Sequence, residues 1–213
     1  MPRESPETPA ARLFIALDLP DEVRDAIAEW QRDAIADPAL RPIRAEGLHI
    51  TLCFLGPRPE RAIARIEAIL AGLEPRTVAM RFLADPAALP RGRPGLYAIA
   101  AESEDAVGLQ GELAETLVAA GLYEPEKRRF WPHVTVARVR SERVEPRKGE
   151  RRGKGRPRRV SDPPTALPRR LCEPFGAVRL ALYRSTLKPQ GAEYESLAGV
   201  DLPSPAGGRR RGD

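Results

Sequence analysis

The chain has 213 residues, of which 42% are hydrophobic and 31% charged, so it can bury the core of one large domain or of two small lobes. Two cysteines exclude a disulfide framework. Since no apolar run reaches the ~18 residues of a membrane span and no apolar signal segment follows Met1, a cytoplasmic protein without membrane contact is expected.

Apolar runs bounded by Pro and Gly predict alternating strands and helices. The first predicted helix opens with acidic residues, which the helix dipole favours in a first turn. In chain order the predictions are a strand at 12–19, a helix at 21–36, a strand at 48–55, a helix at 60–71, strands at 77–83 and 96–101, a helix at 105–120, and strands at 130–139 and 177–187. The tails 1–10 and 203–213 are predicted to be disordered.

The order of elements repeats with an offset of 84 residues. This offset places 13–18 on 97–102, the helix from Asp21 on the helix from Asp105, and His49 on His133. A duplicated unit explains the repeat, with pseudo-repeats at about 11–75 and 95–140 and a final strand at about 177–187. The two halves are expected to form a single domain over 11–202, with their histidine-bearing strands facing each other.

The two histidines of the chain stand in the same short pattern, His49-Ile50-Thr51 and His133-Val134-Thr135. Residues two apart on a strand point to the same face. Each strand is therefore expected to present an imidazole and a hydroxyl on its front and apolar side chains, including Leu52 and Phe54, on its back. Because both copies share the offset of the flanking elements, they predict one shared catalytic site.

Two facing imidazoles can divide the work of acid and base near neutral pH, since histidine titrates in that range. The neighbouring hydroxyls can donate hydrogen bonds to the non-bridging oxygens of a phosphate, which suits an in-line displacement at phosphorus. A zinc site is disfavoured because no carboxylate or thiolate completes it, although strict alternation places Cys53 on the His49 face. No Gly-x-Ser-x-Gly elbow or phosphate-binding loop occurs, so neither a serine hydrolase nor a nucleoside-triphosphate hydrolase is supported. No metal and no cofactor are predicted.

The paired motifs resemble those of the two-histidine (2H) phosphoesterase superfamily. Their context resembles its bacterial and archaeal RNA 2′,3′-cyclic phosphodiesterase branch, historically called 2′-5′ RNA ligase. The stretches that carry this resemblance are Arg-Leu-Phe-Ile-Ala at 12–16, Leu-His-Ile-Thr-Leu with Phe-Leu-Gly at 48–56, Phe-Trp-Pro-His-Val-Thr-Val-Ala-Arg at 130–138, Leu-Tyr-Arg-Ser at 182–185 and Gly-Ala-Glu-Tyr at 191–194.

The resemblance implies a bilobal α+β fold, with two antiparallel sheets, outer helices and a central active cleft. It implies a monomer that hydrolyses RNA 2′,3′-cyclic phosphodiester ends to 2′-phosphomonoesters without a metal. His49 would donate a proton to the leaving 3′ oxygen, and His133 would accept one from water. Thr51, Thr135 and Arg138 would contact the phosphate. Strict alternation turns Arg138 away from His133, so a β-bulge is needed to bring it in.

Three alternatives remain open. The same site could act on 2′-5′-linked oligonucleotides or on small cyclic-phosphate nucleotides. Reverse 2′-5′ ligation is chemically allowed when an RNA 5′-hydroxyl replaces water. A non-catalytic RNA-binding protein could use the arginine-rich segments, but such a protein has no need of the intact histidine pair.

The basic segment 140–170 holds 12 Lys or Arg against 4 Asp or Glu and contains no aromatic residue. Without a stacking platform, and with several Gly and Pro, it predicts a low-complexity loop that attracts RNA by charge alone. Deleting about 147–159 is therefore expected to weaken binding to long RNA at low salt, with kcat on a mononucleotide substrate within about threefold of the unaltered protein.

Overall fold

The computed structural model describes residues 10–142, 155–188 and 191–204. Within these residues the chain forms three α-helices and twelve strands. The elements are β1 (Ala10–Asp18), α1 (Asp21–Ala34), β2 (Leu40–Pro42), β3 (His49–Pro59), α2 (Ala62–Ala71), β4 (Ala79–Phe82), β5 (Ala87–Leu89), β6 (Leu96–Glu102), α3 (Glu104–Ala119), β7 (His133–Val139), β8 (Ser141–Glu142), β9 (Arg156–Pro157), β10 (Phe175–Gly176), β11 (Arg179–Lys188) and β12 (Gly191–Asp201). Short 3-10 helices lie at Ala45–Gly47 and Arg169–Cys172.

Ten of these strands form one antiparallel sheet whose two halves meet at a single residue pair. The β3 half runs β3-β1-β11-β12, and the β7 half runs β7-β6-β4-β10 with β2 on β7 and β5 on β6. The halves join where Ile50 of β3 pairs with Val134 of β7. The predicted α+β class is confirmed. The two predicted antiparallel sheets are the two halves of one sheet, joined at the pair Ile50–Val134, which is called the hinge pair below.

The repeated order of elements is visible in the strand pairing. In one copy β1 pairs with β3, and in the other β6 pairs with β7, both antiparallel. Asp18 and Glu102 end the first strand of each copy, and His49 and His133 begin the last. The 84-residue offset found in the sequence therefore relates equivalent strand ends in the two halves.

The helices pack on the sheet through apolar faces with a period of three to four residues. In α3 the buried face contains Leu109, Leu113 and Leu117. Ser103 caps the N-terminus of this helix: its hydroxyl oxygen accepts the backbone N–H of Ala106 at 2.9 Å, so one otherwise unpaired donor of the first turn is satisfied. No helix within the described ranges is long and apolar enough to cross a bilayer.

The structure adds strands that the sequence patterns do not predict. The longest is β12, which pairs along its length with β11. It lies at the edge of the sheet, and its side chains are exposed or half-buried on both faces, so it lacks the apolar alternation that marks a strand with one buried face. The short strands β2, β5, β8, β9 and β10 have two or three residues each, too few for any periodicity.

The boundaries predicted for the basic loop need correction. Of the segment 140–170, residues 155–170 belong to the folded body: β9 pairs with β8, and Leu167 is buried in the core. The Asp37 carboxylate accepts the backbone N–H groups of Ser161 at 2.7 Å and Asp162 at 2.9 Å. Ala10, the last residue of the predicted tail 1–10, instead begins β1. The prediction for 143–154 lies outside the described residues, as do those for 1–9 and 205–213 of the tails.

Candidate active site

Each His-x-Thr strand contains a β-bulge directly after its threonine. In β3 the register against β1 shifts after Thr51, which leaves Leu52 as the extra residue. In β7 the register against β6 shifts after Thr135, which leaves Val136 as the extra residue. The two extra residues are separated by the same 84 positions as the histidines, so the bulge belongs to the duplicated unit.

A bulge exchanges the faces to which the following residues point, and two expectations from strict alternation are therefore wrong. Cys53, expected beside His49, is 0% exposed in the core. Phe54, expected on the apolar back, is 57% exposed. The bulge that Arg138 needs in order to face the side of His133 is present, and Arg138 is exposed, with its charge acting on His49. Phe54 and Arg138 occupy equivalent positions in the two halves.

The buried position of Cys53 removes the one thiol expected near the histidines. Burial raises the pKa of this thiol to about 12, so it stays protonated and cannot serve as a thiolate ligand. Its neighbours in the core include Gln110 and Tyr123. In the described part of the chain, no cluster of three His, Cys, Asp or Glu side chains could hold a metal ion.

The bulge in β7 is held by a side chain from α1. The carbonyl oxygen of Val136, the extra residue of this bulge, accepts two hydrogen bonds. Nε2–H of Gln31 donates to it at 2.8 Å and the backbone N–H of Ile43 at 2.9 Å. Gln31 is buried, so these bonds satisfy polar groups that would otherwise be unpaired away from water. The sequence patterns do not predict this role, and its only signal is a polar residue on the apolar face of a helix.

The hinge pair brings the two His-x-Thr motifs together. Ile50 and Val134 are fully buried behind it, whereas His49, Thr51, His133 and Thr135 are half-buried on the front. In an antiparallel pair centred on the hinge, the register directs His49 towards Thr135 and His133 towards Thr51. The two imidazoles and the two threonine hydroxyls thus surround one location, with the histidines diagonally opposite each other.

The imidazole of His133 is oriented by the carbonyl group two residues before it. Nδ1 of His133 lies 2.8 Å from the carbonyl oxygen of Trp131. Since a carbonyl only accepts, Nδ1 carries a proton, and in the neutral ring Nε2 holds the lone pair. The backbone of Gly47, two residues before His49, favours the charged form of the His49 ring. The ring of Trp131 also stacks on His133, with centroids 4.5 Å apart.

The environment of His49 is aromatic. Its ring stacks on Phe14 with centroids 5.0 Å apart and meets the edge of Tyr194 at 5.1 Å. Burial among these groups lowers the pKa of His49 to about 4, and the nearby charges of His133 and Arg138 act in the same direction. The hydrogen bond with Gly47 opposes the shift. At neutral pH His49 is therefore uncharged in this environment.

Asp18 and Tyr183 form a hydrogen-bonded pair next to Phe14, the ring on which His49 stacks. The Tyr183 hydroxyl donates to Oδ1 of Asp18 at 2.6 Å, and the Tyr183 ring stacks on Phe14. Asp18 lies opposite His49 in the β1–β3 ladder. Burial raises the pKa of both Asp18 and Tyr183, and the hydrogen bond favours a charged Asp18 with a protonated Tyr183. This bond ties β11 to the strand that carries Phe14.

Comparisons with known proteins identify the family to which the chain belongs. Residues 19–154 match the model of the 2′-5′ RNA ligase superfamily. An RNA 2′,3′-cyclic phosphodiesterase of Thermus thermophilus is 31% identical over 200 residues, 90% of each chain. A protein of the same name from Escherichia coli is 32% identical over 136 residues, 62% of this chain and 74% of that one.

Solved structures show the same fold. A crystal structure of a protein from Thermus thermophilus superposes with a TM-score of 0.66 at 29% identity, covering 90% of this chain and 97% of the other. Escherichia coli LigT, solved in complex with NADP+, superposes with a TM-score of 0.63 at 25% identity, covering 91% and 98%. The resemblance predicted from the paired motifs is confirmed, and the chain belongs to the 2′-5′ RNA ligase superfamily.

Proposed function

We propose that this protein is a cytoplasmic, monomeric RNA 2′,3′-cyclic phosphodiesterase that produces 2′-phosphomonoester ends. The observation that carries the proposal is the hinge pair Ile50–Val134, around which both His-x-Thr motifs converge. The relatives from Thermus thermophilus and Escherichia coli bear the name of this activity. The proposed chemistry uses imidazoles and hydroxyls from this chain and requires no metal.

In the proposed mechanism, Nε2 of His133 accepts a proton from water as the water oxygen attacks phosphorus. The bond from phosphorus to the 3′ oxygen breaks, and His49 donates its proton to that oxygen. Thr51 and Thr135 donate hydrogen bonds to the non-bridging oxygens, and Arg138 balances the charge that accumulates on them. The 2′ oxygen keeps the phosphate, and a proton exchange with solvent restores both histidines.

The donor role of His49 depends on the substrate. Its pKa of about 4 leaves the ring neutral in the empty site at neutral pH. A phosphodiester anion within contact distance favours the imidazolium, because opposite charges raise the pKa of a histidine. His49 would thus take up a proton as the cyclic phosphate binds, which places the acid beside the leaving oxygen only when substrate is present.

The proposal is tested with an oligonucleotide that ends in a 2′,3′-cyclic phosphate, incubated with the protein in excess EDTA. Full turnover is expected, because acid and base are both side chains, and the phosphate of the product should be found on the 2′ oxygen. The position of the phosphate is determined with an enzyme that removes only 3′-phosphates: a product with a 2′-phosphate resists it, and a product with a 3′-phosphate is sensitive to it. Activity lost on chelation and restored by zinc or manganese would contradict the mechanism, and binding without any turnover would favour an RNA-binding protein.

The basic segment can be tested without removing β9, which a deletion of 147–159 would do. Substituting glutamine for the five basic residues Arg147, Lys148, Arg151, Arg152 and Lys154 is expected to weaken binding to long RNA at low salt. The slope of log K against log salt should fall by up to about 0.7 for each phosphate that is no longer neutralised. A matched control is the same substitution at 209–211. A collapse of kcat on a mononucleotide substrate would show that the segment shapes the active site.

A further inference from the structure

A cavity of about 460 Å³ opens at the end of β7, beside the candidate active site. Three arginines line it, Arg41, Arg138 and Arg140, together with small residues that include Gly95 and Ser141. No acidic residue is among the described residues that line it. Arg138 connects the cavity to the active site, because its charge acts on His49.

The three guanidinium groups come together because of strand geometry. Arg138 and Arg140 are two residues apart on β7 and its extension, so their side chains point to the same face. Arg41 lies directly opposite Arg138 in the pairing of β2 with β7. The bulge at Val136 decides which face this is, and it turns these arginines to the side of His133 and Thr135.

Arg140 is held in place at the cavity wall. Its Nε donates to the carbonyl oxygen of Leu40 at 3.3 Å, and its backbone N–H donates to the carbonyl oxygen of Ala39 at 2.7 Å. Neither Arg138 nor Arg140 forms an ion pair within the described part of the chain. Like charges gathered in one concavity repel each other, and a bound anion relieves that repulsion.

Arg41 reaches across to the other half of the sheet. A side chain at Gly191, the first residue of β12, would have its Cβ only 3.2 Å from Nη1 of Arg41. The glycine therefore leaves room for the guanidinium at the mouth between the two halves. A linear polyanion that leaves the active site along β7 would pass this group.

We propose that Arg41 and Arg140, which lie beside Arg138, form a second phosphate subsite that binds the phosphodiester joining the terminal nucleotide to its 5′ neighbour. Because Val136 is the extra residue of the bulge, Arg138 and Arg140 lie two and four strand positions beyond Thr135, roughly 7 and 13 Å along the strand. With the reacting phosphate bound at Thr51 and Thr135, the row of arginines along β7 is longer than one phosphate group, so it can also contact the next one. The planar fork of arginine matches phosphate oxygens in pairs. The inference rests on the proposed function and adds a preference for oligonucleotide ends over free cyclic mononucleotides.

The charge of the ligand can be tested on the unaltered protein. Three substrates are compared by kcat/KM: a nucleoside 2′,3′-cyclic phosphate, a dinucleotide with the same end, and that dinucleotide with a neutral methylphosphonate linkage. The phosphodiester dinucleotide is expected to exceed the other two about tenfold or more, as for a charge-assisted hydrogen bond. Equal values for the charged and neutral linkages would overturn the subsite, because no phosphate charge would then be recognised.

The residues are tested with Arg140→Gln, followed by Arg41→Gln. Each is expected to lower the dinucleotide-to-mononucleotide ratio of kcat/KM about tenfold. The matched control is Arg32→Gln, which removes the same charge from an exposed position on α1 and should leave the ratio unchanged. An unchanged ratio in both arginine variants, with their thermal unfolding intact, would overturn the assignment.

Direct binding separates this inference from the proposed function. The Kd of a dinucleotide ending in a 2′-phosphate is measured for the unaltered protein and for Arg140→Gln. About tenfold weaker binding to the variant supports the subsite even if no cyclic phosphate is turned over, in which case the proposed function alone fails. Equal Kd values contradict the subsite whether or not the enzyme is active.

Discussion

Replacing either histidine with alanine is expected to lower turnover of an RNA 2′,3′-cyclic phosphate by about 10²–10⁴-fold, the range for loss of a general acid or base. His133 is oriented by the carbonyl group of Trp131, and both histidines lie next to the hinge pair. The measurement is kcat at saturating substrate. Turnover close to that of the unaltered protein in either variant would end the proposed mechanism.

The double variant should be little slower than the slower single variant, because the two groups act in one displacement. Substituting valine for Thr51 or Thr135 is the graded control, since each removes only a hydrogen bond to a charged group, worth about 2–3 kcal/mol or less. His49→Ala also removes a ring stacked on Phe14, so its thermal unfolding must be compared with that of the other variants. A loss of activity that tracked the loss of stability would have a structural cause.

Local patterns were sufficient to predict which side chains share the front face of each histidine-bearing strand. The two histidines stand two residues before a threonine, and the same offset relates the flanking elements. Side-chain alternation then places His49 with Thr51 and His133 with Thr135, which the structure shows on the front of their strands. These inferences hold because they span two residues, too short a distance for an irregularity to intervene.

Beyond the threonines the same reasoning failed. The extra residues of the bulges, Leu52 and Val136, are ordinary aliphatic side chains, so nothing in their composition distinguishes them from regular strand residues. Cys53 and Phe54 consequently lie on the faces opposite to those expected, and the bulge that Arg138 needs could be named as a condition but not predicted. A bulge depends on the partner strand and on what satisfies the displaced carbonyl, and both are tertiary facts.

The strand pairing that joins the two halves of the sheet could not be predicted from the sequence either. The duplication predicts that the two histidine strands face each other, but it does not predict that they pair, or that Ile50 and Val134 are the residues that do so. Likewise Gln31, which holds the bulge in β7, lies 105 residues from its acceptor. Such contacts are fixed by the packing of α1 on the completed sheet.

The roles of His49 as acid and His133 as base can be tested with a substrate that has sulfur in place of the bridging 3′ oxygen. A thiol ionises near pH 8.5, so a thiolate leaves without a proton, whereas an alkoxide requires one. If His49 protonates the leaving oxygen, His49→Ala should be slow on the oxygen substrate and recover to within about tenfold of the unaltered protein on the sulfur substrate. His133→Ala should stay slow on both, because water must still lose its proton.

The pH dependence of the same pair of substrates provides an independent check. An acid must be protonated to act, so turnover of the oxygen substrate by the unaltered protein should fall as pH rises through the pKa of His49 in the substrate complex, and this falling limb should vanish with the sulfur substrate. The pKa of about 4 in the empty site makes the opposite assignment a real competitor, since a neutral His49 is already suited to be the base. Under that assignment sulfur would rescue His133→Ala and leave His49→Ala slow. The two outcomes cannot coincide, because only the group that protonates the leaving atom becomes dispensable when that atom no longer needs a proton.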